Sequence, residues 1–140
     1  MASQAQFRVI YGDTDAMGFA YYGNYLKWFE IGRSEWFRDT GTSYFELEKT
    51  GLFLPVVEAY CSYLKPAFYD DVLTIKSTFR FAGPARLRFD YEIYRGEEIL
   101  TRGYTLHVCM NSERKVQKPP EYLLKVLESG REPEKQAEDC

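Results

Sequence analysis

The segment "ARLRFDYEIYR", residues 85–95, constrains the fold more than any other part of the chain. Leu87, Phe89, Tyr91 and Ile93 alternate there with Arg86, Arg88, Asp90 and Glu92. Successive side chains of a strand point to opposite faces, so a period of two predicts a strand with one buried and one wet face. "LPVVEAYCSYLKPA", "DVLTIKSTFRFA" and "EILTRGYTLHVCMN" carry the same β-branched and aromatic bias. The breaks fall at residues 66–71, at Gly83-Pro84 and at Arg95-Gly96-Glu97, the last a tight hairpin signal. Consecutive hairpins of this kind predict an antiparallel meander.

Ahead of these strands, "QFRVIY" (6–11) reads as a first strand, ended by Gly12 and the Asp-Thr-Asp that follows. From Tyr22 to about Asp39 the period changes: Tyr22, Tyr25, Leu26, Phe29, Gly32, Arg33, Trp36 and Phe37 fall at three- and four-residue steps, predicting a long helix. Gly41 stops it. A shorter helix is expected in "TSYFELEKTG", capped by Thr42 or Ser43 with Glu46 as the capping-box acid and ended by Gly51. "PPEYLLKVLES" predicts a closing helix, and the polar residues 130–140 a frayed tail. The expected architecture is α+β: one domain over residues 1–140, with a roughly five-stranded antiparallel sheet burying one long helix.

Composition narrows the function classes. A formal charge of −3, from 18 basic and 21 acidic side chains, disfavours a nucleic-acid partner. Cys61, Cys109 and Cys140 form no CxxC pair and are odd in number, against both a disulfide framework and a zinc site. A reducing, cytoplasmic setting is the expectation. The N-terminus lacks a basic and apolar leader pattern, and no run approaches the ~18 apolar residues of a membrane span.

The chemistry-bearing stretch is "YGDTDAMGFAYYGNYLKWFE", Tyr11 to Glu30. Two carboxylates at i and i+2 cannot easily converge on one point of an extended backbone, which predicts different roles for Asp13 and Asp15. Asp13, at the strand end, suits bonds to nearby backbone N–H groups. Asp15, seven residues before the helix start, is either a turn residue or a catalytic carboxylate. The first N–H groups of the helix lack intrahelical partners and carry its positive end, so a pocket there would polarise a carbonyl. Gly18 and Gly23 would admit a substrate close to that backbone, or serve only as turn and packing residues. Glu30 either faces the pocket or lies solvated beside Lys27 and Arg33. His107, the only histidine, reads as a packed or edge residue. No G-x-S-x-G elbow, P-loop, dinucleotide fingerprint or metal-ligand spacing is present. Arg80, Arg86 and Arg88 fall on an outer sheet face, where they either stay solvated or meet phosphates.

"YGDTDAMGFAYYGNYLKWFEIGR", "YDDVLTI" and "RFAGPARLRFDYEIYR" together resemble the hot-dog-fold acyl-CoA thioesterases of the 4-hydroxybenzoyl-CoA thioesterase type, including the Tol-Pal-associated branch. The resemblance runs from about Phe7 to Leu124. It implies a five-stranded antiparallel sheet wrapped around the long helix. It also implies dimers that join their sheets, commonly paired into homotetramers, with active sites at the subunit interface. The implied reaction is hydrolysis of an acyl-CoA thioester without metal or redox cofactor, coenzyme A being part of the substrate. The second motif acid, Asp15, is the implied nucleophile or general base, and the backbone N–H of Tyr22 the implied carbonyl-polarising group. Gly18, Gly23, Tyr25 and Glu30 are expected around the substrate. Several relatives carry His where this chain has Tyr22, a change that leaves a backbone role intact. The basic cluster that the 4-hydroxybenzoyl enzyme uses for coenzyme A phosphates is replaced by Gly83-Pro84-Ala85, which shifts that expectation to Arg80, Arg86 or Arg88. An alternative on the same fold is a non-catalytic module binding acyl-CoA or an acyl carrier protein.

Overall fold

A computed structural model describes residues 2–131 of the chain. Five strands form one antiparallel sheet: β1 (Ser3–Arg8), β2 (Val56–Tyr63), β3 (Val72–Phe81), β4 (Leu87–Arg95) and β5 (Glu98–His107). Their order across the sheet is β1-β3-β4-β5-β2. The expected meander is therefore confined to β3, β4 and β5, while β2 pairs with β5 at the far edge. The correction has a physical reason in the β2–β3 connection. Residues 64–71, stiffened by Pro66, do not turn back tightly but run across the end of the sheet. The Leu64 and Lys65 N–H groups bond the Leu100 carbonyl, Ala20 N–H bonds the Ala67 carbonyl, and Asp70 N–H bonds the Val9 carbonyl.

The helix α1 (Asn24–Asp39) lies on the inner sheet face. Its buried residues Tyr25, Trp28, Phe29, Gly32, Trp36 and Phe37 follow the helical period and meet the buried strand positions Ile75, Phe79, Leu87, Phe89, Tyr91 and Ile93. The Phe29 ring stacks on Tyr91 with centroids 4.3 Å apart, and Trp36 meets Phe79 and Phe89 at 5.4 and 5.3 Å. Removing each such ring from water stabilises the fold by about 1.5–3 kcal/mol. Close approach needs a missing side chain at Gly103, where an added Cβ would meet the Phe29 ring at 2.6 Å and the Tyr60 carbonyl closer still.

The helix α2 (Tyr44–Lys49) begins where expected, and of its two candidate caps Ser43 is used: its Oγ accepts from Glu46 N–H at 3.1 Å. A two-residue hairpin, β6 (Cys109–Met110) with β7 (Val116–Gln117), was not foreseen. The helix α3 (Glu121–Gly130) buries Leu123 and Leu127. Gly130 thus closes this helix rather than opening a tail, and residues 132–140 of the expected frayed segment lie outside the described residues. The first strand also ends earlier than expected. Val9 is still tied to Asp71, but residues Tyr11–Asp13 fold into a short 3-10 turn. No helix among the described residues is long and apolar enough to cross a membrane.

Candidate active site

Asp13 and Asp15 have different surroundings, although Asp13 lies in the 3-10 turn rather than on the extended backbone that the alternation argument assumed. Asp13 is 5% exposed, and both its carboxylate oxygens are engaged: Oδ2 accepts from Ile10 N–H at 3.1 Å and Oδ1 from Lys27 Nζ at 3.0 Å. Its backbone carbonyl accepts from Tyr21 N–H at 2.7 Å and Asn24 Nδ2 at 2.8 Å. One residue thereby ties the 3-10 turn to the start of α1.

Asp15 is half-buried and only half engaged. Its Oδ1 accepts from Met17 N–H at 2.9 Å, while Oδ2 has no protein partner among the described residues. The turn is closed by Gly18 N–H on the Asp15 carbonyl at 3.0 Å, with Gly18 at φ 83°, a conformation that favours glycine. Asp15 lines a cavity of about 340 Å³, with Phe19, Tyr22, Tyr25, Tyr63 and Pro66 among the other walls. The acid faces an otherwise largely aromatic space.

The start of α1 is the second component. Regular helix begins at Asn24 rather than Tyr22, a correction that follows from local hydrogen bonding. Asn24 N–H bonds the Tyr21 carbonyl at 3.0 Å and Tyr25 N–H the Tyr22 carbonyl at 3.2 Å, three-residue steps that make Tyr21–Gly23 a tight entry turn. Gly23 is already helical at φ −64° and ψ −21°, so the turn continues the helix axis. No side chain caps it. The Tyr22 and Gly23 N–H groups have no protein acceptor among the described residues. They are unpaired donors at the positive end of a 16-residue helix, and Tyr22 lines the same cavity as Asp15.

Tyr25 is buried beneath the cavity, packed against Tyr63 at 4.9 Å and Trp28 at 4.6 Å. Burial pushes the phenols of Tyr25 and Tyr63 above the usual tyrosine range, so both remain protonated donors. Gly23 is packed under the Tyr21 ring, which limits how closely a substrate approaches on that side. Gly18 has open space around it. Tyr63, Leu64, Lys65 and Pro66 complete the wall. These four were missed because they lie some forty residues from the motif and join it only through the connection that crosses the sheet end. No spacing in the sequence carries that signal.

The remaining candidates lie elsewhere in this chain. Glu30 is exposed on α1 and does not line the cavity, so its solvated alternative is the one realised in a single chain. Arg88 stacks over Tyr104 at 4.0 Å and bonds Asp90, which also pairs with Arg80 at 3.3 Å. Arg88 sits level with Glu58 of β2, five residues from Tyr63 and so about 17 Å along the strand from the cavity. Arg86 is exposed and has no ion-pair partner among the described residues. His107 is buried, as a packed residue: Nδ1–H donates to the Leu54 carbonyl at 2.9 Å, and Nε2 lies 2.8 Å from Thr105 Oγ1. Burial lowers its pKa to about 4. No cluster of three or more His, Cys, Asp or Glu suited to a metal occurs among the described residues.

Comparison with known proteins places the chain in a family. The model of the Thioesterase-like superfamily matches residues 9–127. A 1,4-dihydroxy-2-naphthoyl-CoA hydrolase of Synechococcus elongatus is 30% identical over 88% of this chain and 93% of its own. An acyl-CoA thioesterase of Haemophilus influenzae is 30% identical over 74% of this chain and 77% of its own. Among solved structures, a DHNA-CoA thioesterase from Staphylococcus aureus superposes with a TM-score of 0.85 at 30% identity, covering 91% of this chain and 87% of that one. This chain, a hot-dog-fold thioester hydrolase, belongs to the Thioesterase-like superfamily.

Proposed function

We propose that the chain hydrolyses an acyl-CoA thioester to a free carboxylic acid and coenzyme A, with Asp15 as the reacting carboxylate. The observation that carries this is the contrast between the two acids: Asp13 has both oxygens occupied, whereas Asp15 presents a free oxygen to a cavity walled by the turn with unpaired N–H groups. A thioester carbonyl oxygen seated on the Tyr22 N–H places developing negative charge at the positive end of α1. Asp15 then acts by one of two routes. As nucleophile it bonds the carbonyl carbon, the C–S bond breaks with release of the thiolate, and water cleaves the resulting anhydride. As general base it takes a proton from water, whose oxygen attacks the carbon directly, and the resulting tetrahedral adduct expels the coenzyme A thiolate as the C–S bond breaks, the proton held on Asp15 being available to it. Both routes use protein groups alone and require neither metal nor redox cofactor.

Gly18 gives the acyl-CoA chain room beside the Asp15 turn, Gly23 lies behind the oxyanion, and Tyr25 forms the floor under the acyl group. The exposed edge of β2, with Val56, Val57 and Tyr60 near half exposed, supports a homodimer formed by joining sheets, and pairs of dimers a homotetramer. In such an assembly Glu30 and the Arg80, Arg86 and Arg88 face serve a site shared between subunits, Arg86 being the freest for a coenzyme A phosphate. The free thiols of Cys61 and Cys109 fit a cytoplasmic protein.

The test is thiol release from a panel of aromatic, short-chain and long-chain acyl-CoAs. Cleavage of one class with saturation supports the proposal, and the aromatic class is favoured by the tyrosine-lined cavity. Binding of acyl-CoA without cleavage would instead identify a non-catalytic module for acyl-CoA or an acyl carrier protein.

A further inference from the structure

A trans peptide directs its C=O and N–H in opposite senses, so a bond that fixes one fixes the other. All described peptides are trans. At the entry to α1 the carbonyls of two successive peptides are held. The Tyr21 carbonyl accepts from Asn24 N–H, which aims the Tyr22 N–H back toward the helix N-terminus. The Tyr22 carbonyl accepts from Tyr25 N–H at 3.2 Å and, from a different element, the Tyr63 hydroxyl at 3.1 Å. Both bonds hold the peptide that carries the Gly23 N–H, and the Tyr63 hydroxyl is the one contributed from outside the turn. An accepted hydrogen bond also polarises the peptide, making its N–H a stronger donor. The ring of Tyr63 is itself held edge-on against Tyr25.

We infer that Tyr63 is a positioning residue for thioester hydrolysis: its hydroxyl on the Tyr22 carbonyl orients the Tyr22–Gly23 peptide so that the consecutive N–H groups of Tyr22 and Gly23 act together on the thioester carbonyl. This deepens the reading of the site given above and rests on it. The assignment gives the turn two donors where a single backbone N–H was expected, and it puts control of the second donor on the edge strand β2. An un-ionised tyrosine hydroxyl keeps its proton through neutral and mildly alkaline pH, so the donor persists there.

Tyr63→Phe removes the hydroxyl and keeps the ring contacts. The expected result is a fall in kcat of about tenfold with KM little changed, smaller than the roughly 10²–10³ lost when an oxyanion donor is deleted outright. The carbonyl stretch of a bound acyl-CoA, read by infrared difference spectroscopy in an Asp15→Asn background, reports the polarisation directly. Adding Tyr63→Phe to that background should move the band toward its position in solution, whereas 3-fluorotyrosine at position 63, a stronger donor of nearly the same shape, should move it the other way. A residue that merely fastened β2 to α1 would alter the melting temperature and leave the band in place. An unshifted band with both replacements, or an unchanged kcat in Tyr63→Phe, overturns the inference. Failure of the underlying reading has a different signature, namely full turnover in Asp15→Asn alone.

Discussion

Lowering the pH from 7 toward 4 should destabilise the protein through His107. The imidazole sits in a buried chain of hydrogen bonds whose directions are determined at both ends. Arg33 Nη1 donates to the Tyr91 hydroxyl at 3.1 Å, and the Leu54 carbonyl can only accept from His107 Nδ1. Tyr91 must then donate to Thr105 at 2.7 Å, and Thr105 to His107 Nε2 at 2.8 Å. Every donor has one acceptor. A further proton on Nε2 leaves one buried N–H or O–H without any, and the Arg33 charge opposes it as well. Burial is the larger cause and holds the folded pKa at about 4, against an unperturbed 6.5. The unfolded chain therefore binds this proton between pH 6.5 and 4 while the folded chain does not. The stabilisation is complete above pH 6.5 and is lost progressively as the pH falls toward 4. Two and a half pH units at about 1.36 kcal/mol each give roughly 3 kcal/mol. Urea midpoints measured between pH 7 and 4 for the parent and for His107→Gln isolate this contribution, since the carboxylates contribute to both. The variant should show a flatter dependence by about that amount. Equal slopes for the two proteins would refute the donor-counting argument.

Two further substitutions test the frame of the site. Gly103→Ala should cost about 3 kcal/mol or more, because the new Cβ meets the Tyr60 carbonyl and the Phe29 ring and the backbone oxygen has no rotamer to escape into; a urea midpoint close to the parent's would contradict the packing described. Asp13→Ala deletes the carboxylate bonds to Ile10 N–H and Lys27 but spares the Asp13 carbonyl that holds Tyr21 and Asn24. A loss of about 2 kcal/mol is expected, with turnover of the folded variant reduced less than tenfold; a variant as stable as the parent but inactive would reverse the roles assigned to the two acids.

The parts of this molecule legible in the sequence are those governed by local periodicity and local caps. Leu87, Phe89, Tyr91 and Ile93 announce both a strand and its buried face, and the three- and four-residue steps from Tyr25 to Phe37 announce the helix laid on it. Ser43, three residues before Glu46, marks a helix start. Strand order is different in kind. Nothing within "LPVVEAYCSYLKPA" says that it pairs with β5 and leaves its other edge open, because pairing partners are chosen by the whole sheet. That Asp13 and Asp15 would differ in surroundings was readable, since Asp13 stands at the strand end where a carboxylate meets nearby backbone N–H groups. Tyr63 was not, because its hydroxyl reaches Tyr22 only after the sheet and helix have been assembled, across 41 residues. Glu30 and the arginines of the outer face show the complementary limit: resemblance names them, but within one chain they stand apart from the cavity.

The central claim is that Asp15 reacts with the thioester while Asp13 builds the turn. Single-turnover release of coenzyme A by Asp15→Asn tests it most directly, because Asn keeps the size and one acceptor for Met17 N–H yet can neither attack the carbonyl nor accept the proton of water. The predicted result is a loss of about 10²–10⁴ in rate, with acyl-CoA binding and melting temperature near those of the parent. Release within a few-fold of the parent rate would contradict it.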